Sequence, residues 1–116
     1  MRAKLRDGLK AALKAKDNAA VAALRSALAA IDNAEAIPAD HLSNRVTGDE
    51  QIAGSAVGVG AGEAARRHLT EDDLRAIVEG EIRERVVAAQ EYEQLGRIDL
   101  AKRLQAEADV LSRYLA

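Results

Sequence analysis

Asp40, His41 and Ser43 supply the residue types of a hydrolytic triad: a nucleophile, a base and an orienting carboxylate. They are near neighbours in a stretch without helical periodicity. Nothing there fixes a base against a nucleophile, so chance composition is the better reading. Gly58-Val59-Gly60-Ala61-Gly62 would let backbone N–H groups approach a phosphate. It lacks the Gly-Lys-Ser/Thr of a P-loop, its spacing is not GxGxxG, and no strand precedes it, so it reads as a connection. His68 stands beside Arg66 and Arg67 with no second His or Cys nearby, which reads as an exposed histidine rather than a metal ligand. Glu81, Glu84, Glu91 and Glu107 are the carboxylates one would try to pair. Such a pair works only when one pKa is displaced from the other, usually by burial. Arginines lie within a turn of most of these glutamates, so solvated faces are expected. The residues thus point to no catalytic group, no cofactor and no metal.

One pattern remains. Residues 1–16 carry six Lys and Arg against the single acid Asp7, a local charge of about +5, whereas residues 69–116 carry seven basic and eleven acidic residues. Within the first stretch Arg2, Arg6, Lys10 and Lys14 recur at every fourth position and fall on one helical stripe. That stripe could meet RNA phosphates or an acidic protein surface. The plainer alternative is a solvated helix face. Only Tyr92 and Tyr114 are aromatic, so stacking on unpaired bases is not expected, and any RNA contact would be phosphate-directed.

Four helices are needed to position these groups. Leu5, Leu9 and Leu13 mark an apolar stripe on the first, residues 2–16, which Gly8 weakens by roughly 1 kcal/mol relative to alanine. Asp17 or Asn18 can cap the second, about residues 19–35, with Val21, Leu24, Leu28 and Ile31 on one face and alanines nearly everywhere else. From 36 to 68 the character changes: Pro38 marks the break, and Gly48, Gly54, Gly58, Gly60 and Gly62 punctuate a long connection. This connection either drapes over the helices through Ile52, Val57 and Val59 or stays without structure, with a short helical turn possible at 63–68. Thr70 can then cap the third helix, with Asp73 able to reach back in a box-like arrangement, and along this helix Leu74, Ile77, Val78, Ile82, Val86 and Ala89 line one face. Arg75–Glu79, Glu79–Arg83 and Glu81–Arg85 are expected as exposed pairs one turn apart. Gly96 supplies the left-handed residue that ends this helix, Asp99 lies in the first turn of the next, and Leu100, Leu104, Leu111 and Leu115 follow at helical steps.

The run Glu81-Ile82-Arg83-Glu84-Arg85, then Ala88-Ala89, Tyr92, Gly96-Arg97, Asp99-Leu100-Ala101, Leu111 and Tyr114-Leu115 resembles the signature of YqeY-like proteins. These are related to the tail of the B subunit of tRNA-dependent amidotransferases. Leu13-Lys14-Ala15-Lys16-Asp17 and the stretch from Leu24 to Glu35 are similar to the family's opening helical pair, so the resemblance covers residues 1–35 and 69–115. It implies a GatB/YqeY-like helical domain and a link to tRNA or to an amidotransferase. It also implies the family's carbon–nitrogen ligase label, with glutamine as amido-N-donor. In those enzymes the glutaminase and kinase-like chemistry belongs to other domains, to which nothing in this sequence corresponds. Family members commonly continue past Tyr-Leu-Pro into a further small domain, whereas this sequence ends at Tyr114-Leu115-Ala116.

The totals agree with a single domain over 1–116: seventeen Lys and Arg against nineteen Asp and Glu give a net charge of −2, which does not mark a strongly basic nucleic-acid binder. The absence of cysteine removes disulfides and thiolate chemistry and fits the cytoplasm, and no long apolar run suggests a membrane span. The expected architecture is all-α, with four main helices as two antiparallel hairpins (1–35 and 69–116) joined by a long Gly-rich connection (36–68). The expected role is a noncatalytic module that assists tRNA or amidotransferase-type machinery. The alternative is a helical protein–protein adaptor or self-associating domain without RNA.

Overall fold

The computed structural model describes residues 1–36 and 68–116. The expectations for Asp40, His41 and Ser43, for the glycine-rich connection and for a turn at 63–67 lie outside the described residues. Four α-helices and no strand are found among the described residues: α1 (Arg2–Ala15), α2 (Asn18–Ala36), α3 (Glu71–Gln94) and α4 (Ile98–Ser112). The chain divides into two units, Met1–Ile31 with Thr70–Ala116, and Asp32–Leu69. Of the second, only the last residues of α2 and His68–Leu69 are described.

The two turns of the first unit use the same device. At the end of α3 the Gly96 N–H donates to the Glu93 carbonyl at 3.0 Å and the Arg97 N–H to the Tyr92 carbonyl at 2.8 Å, with Gly96 at φ 77°. At the end of α1 the Lys16 N–H donates to the Leu13 carbonyl at 3.2 Å and the Asp17 N–H to the Ala12 carbonyl at 3.0 Å, with Lys16 at φ 59°. Both are Schellman motifs, which satisfy the orphan carbonyls of a helix end and need one left-handed residue. Glycine fills that position without strain; lysine does so against its Cβ. The two turns should therefore respond oppositely. Gly96→Ala, where nothing lies within 4 Å of the added Cβ, is expected to cost about 1 kcal/mol through φ alone, and Lys16→Gly to gain a comparable amount. Chemical denaturation of both variants checks this.

α2 and α3 each begin at a side-chain cap, whereas α1 and α4 have none. The Asp17 carboxylate accepts from the Ala20 N–H at 3.1 Å, which caps α2. At α3 the Thr70 hydroxyl accepts from the Asp73 N–H at 3.1 Å while the Asp73 carboxylate accepts from the Thr70 N–H at 2.9 Å, the capping box read from the sequence. α3 and α4 pack along one another. They run antiparallel, since Arg85 and Glu107, equidistant from Gly96 in sequence, are bonded to each other.

The buried face is made largely of alanine. Leu5, Leu24, Ile31, Val78 and Leu111 are its fully buried large side chains, and Ala12, Ala20, Ala23, Ala27, Ala89, Ala101 and Ala108 fill the space between them. Some expected stripe positions turn outward: Leu13 is 47% and Leu100 38% exposed, and Leu9 and Leu104 are half-buried. Among the described residues alanines supply half of the buried apolar positions, and small residues at a helix–helix contact permit a close approach that leaves flanking leucines at the rim.

Gly8 belongs to this packing and is more than a weak spot in α1. A Cβ built there would collide with the Tyr114 hydroxyl and stand 3.4 Å from Leu24 Cδ1. The missing side chain is what admits the tyrosine between α1 and the end of α4.

Candidate functional site

The stripe on α1 is positioned by what the helix buries. Leu5 and Ala12 face the other helices, which leaves Arg6, Lys10 and Lys14 exposed, with Arg2 half-buried at the head of the row. Cations four residues apart on an α-helix recur about every 6 Å along its axis. Among the described residues none of Arg6, Lys10 and Lys14 is held in an ion pair. The row is therefore three solvated positive charges on a straight support. Such an arrangement can attract a polyanion but has no group placed for proton transfer or nucleophilic attack.

The carboxylates behave differently from expectation. Glu81, Arg85 and Glu107 are not a solvated face: their side chains keep only 13%, 11% and 11% of their exposure. The Arg85 Nε donates to the Glu107 carboxylate at 3.0 Å, and its Nη1 donates to the Glu81 carboxylate at 3.1 Å. Glu81 also accepts from the Ser26 hydroxyl on α2 at 2.6 Å. Glu107 accepts a second bond from Arg103 Nε at 3.1 Å, and Arg103 Nη2 donates to the Asn18 carbonyl at 3.2 Å. A continuous polar chain thus runs from α2 through α3 and α4 and back to the start of α2. Glu81 and Glu107 are brought together, but through a shared guanidinium that matches both as anions; this is a structural tie, not an acid–base pair.

The remaining candidates stay apart. Glu84 and Glu91 are exposed on α3, and His68 is exposed before it. Arg75, expected opposite Glu79, instead donates to the Leu115 carbonyl at 2.9 Å. No group of three His, Cys, Asp or Glu that could hold a metal ion occurs among the described residues. None of the described helices is long and apolar enough to cross a membrane. Among the described residues, hollows open to solvent lie at the α3–α4 turn, lined by Gly96 to Leu100, and between Glu79, Ile82 and Arg83 and Ser112, Leu115 and Ala116.

Sequence reasoning missed the polar chain and the Gly8–Tyr114 contact. A signal for the first existed: Glu107 lies three residues after Leu104 and four before Leu111, on the apolar stripe of α4 itself. A charged residue at such a position is buried or tied, and Arg85 on the facing helix is its counter-charge.

Searches of curated proteins and of solved structures returned no match. The family model described as Yqey-like protein matches residues 59–116. That span holds the whole α3–α4 hairpin, with its glycine turn, the Glu81–Arg85 and Glu107 ties and Tyr114. The chain belongs to the YqeY-like protein family.

Proposed function

We propose that this YqeY-like chain is a noncatalytic helical module that contacts tRNA phosphates through Arg6, Lys10 and Lys14, with Arg2 at the head of the row, and assists amidotransferase-type machinery. The carbon–nitrogen ligase label, with glutamine as amido-N-donor, then describes the machinery assisted rather than chemistry carried by this chain. The observation that supports the reading is the outward row of three cations at one-turn spacing on α1. An amphipathic basic helix could also serve a membrane surface, but Leu5 and Ala12 are already buried against other helices. Of the large apolar residues of α1, only Leu13 is exposed, beside the exposed Arg6, Lys10 and Lys14.

Three neutralised phosphates on a structured RNA would give a slope of log affinity against log salt of about −2 to −3. Lys10→Glu with Lys14→Glu is expected to weaken tRNA binding at least about tenfold at low salt and to flatten that slope by about 1.5 to 2. The control is Arg83→Glu with Arg113→Glu, both exposed. Arg85 would be a poor control, because it is part of the interior chain. Absence of wild-type binding at low salt, or equal loss in both double variants, rejects the reading.

A second reading, a helical protein–protein adaptor without RNA, is favoured by one observation. Leu95, Ile98 and Leu100 are 73%, 48% and 38% exposed around the α3–α4 turn. Under that reading Leu95→Ser with Ile98→Ser should abolish capture of the partner from ribonuclease-treated lysate, while the Lys10 and Lys14 reversals leave it intact. For a self-associating domain, sedimentation of wild type against the same double serine variant gives the corresponding test.

A further inference from the structure

We draw no further inference here: the strongest candidate, the exposed apolar tip formed by Leu95, Ile98 and Leu100 at the α3–α4 turn, is flanked by Glu91, Glu93 and Asp99 as well as by Arg97 and Lys102, and nothing in the structure shows what covers it.

Discussion

Arg85→Met is expected to cost about 3 kcal/mol or more of folding stability. The guanidinium is shared between Glu81 and Glu107, and all three side chains are largely withdrawn from water. Removing it leaves Glu81 without a counter-charge and Glu107 with only the half-exposed Arg103, so the desolvation the two carboxylates have already undergone is no longer fully offset. The same argument gives a control of opposite outcome. When Arg85→Met is combined with Glu81→Gln and Glu107→Leu, no buried charge is left unpaired, the Ser26 hydroxyl keeps an acceptor, and most of the lost stability should return. Urea midpoints of the single and triple variants decide the matter. A single variant within about 1 kcal/mol of wild type would mean that these charges are solvated in solution.

Gly8→Ala carries the second large effect, and here two rules of thumb disagree in sign. Helix propensity alone favours alanine at a mid-helix glycine by up to about 1 kcal/mol. The added Cβ, however, would lie on the Tyr114 hydroxyl, with the ring carbon that bears it only 3.0 Å away. Displacing that ring disturbs the seam between α1 and the end of α4, and overpacking of this kind costs about 1–3 kcal/mol. We expect a net loss of about 2 kcal/mol at most after the propensity gain. In a Tyr114→Ala background the obstacle is gone, so the same substitution should become stabilising. A double-mutant cycle across Gly8 and Tyr114 measures the difference, and a coupling near zero would show that the tyrosine yields freely.

Much of the fold was readable because local chemistry announces it. Thr70 and Asp73 at capping-box spacing, Asp17 before a helical run, and Gly96 after one each satisfy backbone groups that any helix end leaves open. Lys16 was not readable in this way. A left-handed lysine has no sequence signature, because its conformation is imposed by the turn between α1 and α2. Nor was the buried face legible from leucines alone, since Ala23, Ala27, Ala101 and Ala108 are among its most buried residues. The α1 stripe is visible in the sequence by spacing, and its outward direction follows once Leu5 is known to be buried. The interior partner of Glu81 could not be read, because Ser26 lies on a different hairpin and no local pattern links the two.

The separation along the chain between bonded groups has a consequence in time. Arg85 and Glu107 are 22 positions apart, whereas Ser26 and Glu81 are 55, Met1 and Glu71 are 70, and Asn18 and Arg103 are 85 apart. Contacts inside a hairpin close short loops; every polar bond that joins one hairpin to the other closes a long one, at a larger entropic cost. Short-range contacts also form sooner, because less chain must be ordered before they are made. On this argument the meeting of α1–α2 with α3–α4 is expected to be the slow part of folding for this unit, with the Ser26–Glu81 bond and the seating of Tyr114 at Gly8 formed late.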